Sequence, residues 1–182
     1  MSTYARKRSD SKIYHIIIKS PSDILLFKES NDKIKYLRII KYYKKHFNFK
    51  IYCYCIMDNH GHFLIDECDS SISIFMKLIN HSYANYFNNK YNHIGRVFKN
   101  RFFSIPVKND SYIIQLSFYI HKNPQTLYNF KDSPEKYPFS SLGIYLNLKK
   151  DYFNLIDSDR ILNYFSKDTS TARNLYFENI TT

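Results

Sequence analysis

Tryptophan is missing from this 182-residue chain, and glycine is scarce at 3 residues. With 5 prolines besides, the composition excludes collagen-like and Pro/Gly-rich low-complexity chains. No segment repeats at the spacing of about 20–50 residues that marks solenoids and propellers. Three cysteines (Cys53, Cys55 and Cys68) are an odd set that does not suggest a disulfide framework. No apolar run approaches the ~20 residues needed to span a bilayer. The opening MSTYARKR lacks the apolar core of a signal peptide. The expectation is a soluble, cytoplasmic protein with no membrane partner.

Acid is the other shortage. Sixteen Asp and Glu stand against 27 Lys and Arg, a net charge of +11. Such a field attracts polyanions and speeds their encounter. What is plentiful is aromatic: 18 Tyr and 15 Phe. Rings exposed among basic residues stack unpaired bases, which favours single strands over duplex. A codon bias toward Lys, Asn, Ile, Tyr and Phe accounts for the same aromatics equally well. A hydrophobic content of 44% supports a globular fold.

Periodicity supplies the elements. Residues 13–19 (IYHIIIK) form a β-branched run bounded by Ser-Pro-Ser and read as a strand. From Asp32 to about Phe47, Tyr36, Ile40, Tyr43 and Phe47 make a helical stripe, with Lys33, Lys41, Lys44 and Lys45 on the other face. Strands follow over 50–57 and 60–66, joined by an Asp58-Asn59 turn. A second helix covers about 70–88, with Ile72, Phe75, Ile79, Tyr83 and Phe87 inward and Asp69 or Ser70 as its cap. A basic, aromatic segment from Arg96 ends in a short strand over 103–107. A third helix starts near Asp110 and stops before Pro124. The order β-α-β-β-α-β-α predicts an α+β fold: an antiparallel sheet with packed helices, ferredoxin-like. Residues 1–146 make the principal domain. Residues 147–182 make a polar extension with a helix over about 157–165.

His60-Gly61-His62 is the sharpest local feature. On a strand, alternate side chains share a face, so the two imidazoles project together and can share one divalent ion. Two ordinary histidines would look the same. The third helix adds a face carrying Tyr112, Gln115, Tyr119 and Asn123 beside its apolar stripe Ile113, Leu116 and Ile120. Against the His pair, Tyr119 would supply a nucleophilic oxygen and Asn123 a neutral oxygen ligand. Imidazole-plus-oxygen ligation suits Mg²⁺ or Mn²⁺. A rival arrangement is a zinc site built from Cys53, Cys55, His60 and His62.

MDNHGHFLI (57–65) resembles the His-hydrophobe-His signature of HUH enzymes, and more closely the single-tyrosine transposases of small insertion sequences and their REP-associated relatives. Ordered matches accompany it: Tyr14-His15, SYANYFN (82–88), GRVF (95–98) with Arg101-Phe102, YIHKNP (119–124) and YPFSS (137–141). They span roughly residues 6–146. The resemblance implies an HUH fold and a metal-dependent single-stranded DNA endonuclease and strand transferase. Tyr119 would be the nucleophile, forming a 5′-phosphotyrosine, and His60, His62 and Asn123 the metal ligands. The DNA would carry hairpins and the protein would act as a monomer or a homodimer. The alternative is an inactive domesticated relative that only binds hairpins. A free phenol has a pKa of about 10, so attack needs help from the metal or a basic neighbour such as Lys122. Arg6, Lys7, Arg8, Arg96, Lys99 and Arg101 are candidate phosphate contacts, with Phe98 and Phe102 as stacking rings. His121 falls on a different helical face from Tyr119, and His15 reads as a satisfied sheet histidine; both are set aside. Two positions depart from the family pattern. Gly61 replaces an aliphatic residue, which predicts weaker packing under the histidines, and Asp58 replaces a proline.

Overall fold

Four strands alternate with helices in the order that the periodicity predicts. The computed structural model describes residues 7–181, so Arg6 lies outside the described residues. The strands are β1 (Ile13–Lys19), β2 (Lys50–Ile56), β3 (His60–Asp66) and β4 (Phe103–Pro106), in the antiparallel order β2-β3-β1-β4. That is the ferredoxin-like order.

The alternation of β3 decides the layers. Phe63 and Ile65 point to one face, where Tyr36 and Ile40 of α1 (Ser30–Lys44) and Met76 and Ile79 of α2 (Ile72–Tyr91) close over them. His62 and Leu64 point to the other face, under α3 (Asp110–Lys122), whose Ile113, Leu116 and Ile120 are buried. Asn109 caps α3 by accepting from the Tyr112 amide at 2.9 Å, and Pro124 ends it. The cap expected for α2 is corrected. Ser71 is its N-cap, and Glu67 Oε2 accepts from the Ile72 amide at 3.0 Å, filling the role assigned to Asp69 or Ser70.

The two departures from the family pattern are absorbed locally. A Cβ built on Gly61 would stand 3.1 Å from Phe63 Cε2 and 3.2 Å from Ile18 Cγ1. Neighbouring side chains therefore fill the space an aliphatic residue takes up, and packing under the histidines is tight, not weakened. Gly61→Val is expected to overpack this layer and cost about 1–3 kcal/mol, read as a lower denaturant midpoint at unchanged slope. Asp58 pairs with Lys33 at 2.6 Å. Lys33 was expected on the polar face of α1. Instead it is buried, donating also to Tyr137 Oη at 3.0 Å, and Tyr137 Oη donates to the Ile56 carbonyl at 2.8 Å. This chain of bonds fixes the β2–β3 turn just before His60.

The stretch past residue 146 shares the core. Leu155, Ile161, Leu162, Ala172, Tyr176 and Ile180 are all buried. A four-residue helix, α4 (Leu142–Tyr145), precedes it, and α5 (Asp159–Leu162) and α6 (Thr169–Thr181) lie within it. β2 would otherwise offer an open edge. Residues 139–141 bond to its Tyr54 and Ile56, and Asp157 N donates to the Ile51 carbonyl at 2.9 Å. Among the described residues no helix is long and apolar enough to cross a membrane.

Candidate active site

Tyr119 meets the histidine pair on the α3 side of the sheet. Its ring centroid lies 5.5 Å from that of His62 and 6.0 Å from that of His15, edge-on to both. The Tyr119 side chain is 53% exposed, while His62 is 5% exposed beneath it. A solvent-reachable phenol ring thus packs edge-on against two shielded imidazoles. His60, the outer member of the pair, is half-buried with its ring centroid 5.0 Å from His62.

Each imidazole of the pair has Nδ1 engaged. His60 Nδ1 lies 2.6 Å from Asn59 Oδ1, and His62 Nδ1 lies 3.0 Å from His15 Nε2. Both Nε2 atoms are the positions left for a ligand. Burial keeps the rings neutral: it lowers His62 to a pKa of about 3 and His15 to about 4, and it also lowers His60. A metal ligand must be the neutral imidazole, so burial keeps both His60 and His62 in the binding form at neutral pH.

Asn123 ends α3 with its Nδ2 donating to the Tyr119 carbonyl at 2.8 Å, and its amide comes within hydrogen-bonding reach of the His60 ring. The C-terminal turn of α3 therefore brings Tyr119 and Asn123 to the two histidines together. Among the described residues no group of three or more His, Cys, Asp or Glu side chains is placed to hold an ion. Asn123 carries a neutral side-chain oxygen beside the His60 ring. The four residues of the rival zinc site form no such group among the described residues either. Cys55 does stand across from His62, but its thiol is buried, pushed up to about 12 by that burial, and donates to Met57 Sδ at 3.7 Å. Cys53 is buried opposite Leu64.

The basic candidates separate into two groups. Arg96, Lys99 and Arg101 are exposed on the loop before β4, and the Lys99 amide donates to the Lys19 carbonyl at 2.8 Å. Lys19 lies across from His60 in the sheet, so this group stands at the His60 end of the sheet. Lys7 and Arg8, also exposed, precede the opposite end of β1, a strand about 20 Å long. Lys122 is half-buried near the end of α3. Lys19 itself was missed. Its charge lowers the His60 pKa alongside burial, and its place in the β1 register would have found it once β1 and β3 were known to be neighbours.

One of the two stacking rings, Phe102, is corrected. Phe102 is 7% exposed, and Phe98 is half-buried with its centroid 6.0 Å from Tyr83. Strand parity turns Phe103 and Ile105 outward instead. They pair with Ile17 and His15, so they share the face that carries His62, and both are exposed. Tyr112 stands exposed two turns before Tyr119 on α3. His121 is structural, fully buried between Tyr176 Oη at 2.8 Å and Ser141 Oγ at 2.7 Å. His15 was set aside as a satisfied sheet histidine, yet it reaches the site through its contact with His62.

The family model for IS200-like transposases matches residues 9–123. This chain belongs to the IS200-like transposase family. A solved structure of a REP-associated tyrosine transposase bound to a REP hairpin shares its fold, at a TM-score of 0.64 and 19% identity, covering 81% of this chain and 86% of that one. No curated protein sequence matches the chain. The family match ends at Asn123, with the last residue of the proposed site, and leaves out the segment that closes the β2 edge.

Proposed function

We propose that this transposase-family chain cuts and rejoins single-stranded DNA bearing hairpins, with Tyr119 as nucleophile and Mg²⁺ or Mn²⁺ held by His60, His62 and Asn123. The observation that carries the reading is the exposed Tyr119 ring held edge-on over a buried, neutral His62. Bound there, a divalent ion would supply charge stabilisation to the scissile phosphate. Tyr119 Oη forms a bond to phosphorus as the bond from phosphorus to the 3′ oxygen breaks. The phenol proton passes to solvent, which reaches the half-exposed ring. The departing oxygen keeps the electron pair and takes up a proton, giving a 3′-hydroxyl and a 5′-phosphotyrosine. Reversal by a 3′-hydroxyl rejoins strands with no external energy source.

The remaining residues bind and position. Arg96, Lys99, Arg101 and Lys19 at the catalytic end, with Lys122, contact phosphates near the cut, and Lys7 and Arg8 hold DNA farther along. Phe103 and Tyr112 offer faces to unpaired bases. On this reading Tyr119 acts in cis as a monomer, in keeping with the bond between His121 of α3 and Tyr176 of α6.

The test incubates the protein with single-stranded hairpin DNA from the flanks of its own gene, in Mn²⁺ or in EDTA. A covalent protein–DNA band that forms with Mn²⁺ and is absent in EDTA supports the reading. Hairpin binding without any adduct would replace it with the domesticated binder that no longer cuts.

A further inference from the structure

His15 lies one strand away from the proposed ligands, on β1, and its register partner is Leu64. Its contact with His62 is therefore the diagonal one across an antiparallel pair, within reach of long side chains. The two rings stack with centroids 5.2 Å apart and planes 27° from parallel. His15 Nε2 and His62 Nδ1 are 3.0 Å apart, so one hydrogen bond joins them. His15 is only 4% exposed, which keeps water from competing for that bond.

A neutral imidazole carries one proton, and two arrangements of this bond exist. If His15 donates, His62 holds its own proton on Nε2 and has no lone pair there. If His62 donates from Nδ1, its Nε2 presents the lone pair to an ion. The neighbouring ligand follows the second pattern, with His60 Nδ1 set against the Asn59 side-chain oxygen. Histidines that bind metals commonly have the other ring nitrogen tied to an acceptor, which fixes both tautomer and ring orientation.

We infer that His15 is a positioning residue: its Nε2 accepts from His62 Nδ1–H and thereby turns the His62 Nε2 lone pair toward the ion site. This rests on the reading of His60 and His62 as metal ligands. His15 is not itself a ligand, in keeping with the absence of any three-histidine cluster able to hold an ion among the described residues. It also packs edge-on to Tyr119, so one buried ring supports both the ligand and the nucleophile.

The experiment compares wild type, His15→Gln and His15→Leu, with circular dichroism and melting curves confirming the fold. Long-range ¹H–¹⁵N correlation spectra of the metal-free proteins report the tautomer of His62, and titration followed by Mn²⁺ electron paramagnetic resonance reports affinity. His62 is expected as the Nδ1–H tautomer in wild type and in His15→Gln, whose amide oxygen still accepts. His15→Leu keeps the bulk, loses the acceptor, and should bind Mn²⁺ about 10–100-fold more weakly. Glutamine should restore affinity, which a purely packing role would not require. An Nε2–H tautomer in wild type, or wild-type Mn²⁺ affinity in a folded His15→Leu protein, overturns this inference and leaves the ligand reading standing. No Mn²⁺ uptake by wild type overturns both.

Discussion

Tyr119→Phe is expected to abolish the covalent protein–DNA adduct while hairpin affinity stays within about fivefold of wild type. The hydroxyl sits on a half-exposed ring, and its loss leaves the ring's edge-on packing against His62 and His15 in place. Losing it therefore removes about 1 kcal/mol of binding at most. Removing a nucleophile, by contrast, lowers turnover by at least about a thousandfold. The adduct is read by denaturing gel with Mn²⁺ present, and affinity by mobility shift. His62→Ala should lose the adduct too, but through a different route. It deletes a ligand and leaves His15 Nε2 buried without its partner, at a stability cost of about 1–3 kcal/mol. Tyr119→Phe should melt like wild type. An adduct that survives in Tyr119→Phe would move the nucleophile elsewhere, with Tyr112 on the same face of α3 the first place to look.

How far the site could be read ahead of the fold depended on the kind of pattern involved. The spacing of His60 and His62 on a strand, and of Tyr119 and Asn123 one helical turn apart, states which side chains share a face. Both faces formed as expected, because each element has a strong apolar stripe that fixes its rotation: Phe63 and Ile65 in β3, and Ile113, Leu116 and Ile120 in α3. Pairing across strands is different. That His15 contacts His62, and that Lys19 flanks His60, follows from the β1–β3 register, which no single strand encodes. The exchange of Phe102 for Phe103 has a similar origin. In a strand one residue of offset reverses the face, and Arg96–Phe103 has too little alternation to settle it.

The C-terminal region escaped for another reason. Residues 147–181 read as polar because their buried residues are sparse: apart from the adjacent Ile161 and Leu162 they come singly, at Leu155, Ala172, Tyr176 and Ile180, among exposed charges and amides. α6 has an apolar stripe only three residues deep, at spacings of four. Such a helix is weak on its own and gains its stability by docking. What it docks on is the helix that carries Tyr119.

Tyr176→Ala is accordingly expected to be the most damaging substitution outside the site. Tyr176 is fully buried, with its ring centroid within 5.0–5.8 Å of Tyr145, Phe118, Phe165 and His121. Its hydroxyl stands 2.8 Å from His121 Nδ1 and donates to Ser117 Oγ at 3.0 Å, and Ser117 donates in turn to the Ile114 carbonyl. Truncating a buried aromatic ring costs about 3–5 kcal/mol. For a chain of this length each kcal/mol lowers Tm by about 2–4 °C, so a fall of roughly 6–20 °C should be seen by calorimetry. Tyr176→Phe keeps the ring and loses only the hydroxyl, leaving His121 Nδ1 and Ser117 Oγ short of a partner at about 1–3 kcal/mol. Ser117 and His121 lie on either side of Tyr119 in α3, so what α6 stabilises is the placement of Tyr119 against His62. Adduct formation measured well below Tm should then fall in Tyr176→Ala even where the protein remains folded, and fall less in Tyr176→Phe. A Tyr176→Ala protein that melts with wild type would mean that α6 contributes nothing to holding α3, and the proposal that Tyr119 acts in cis would lose its support.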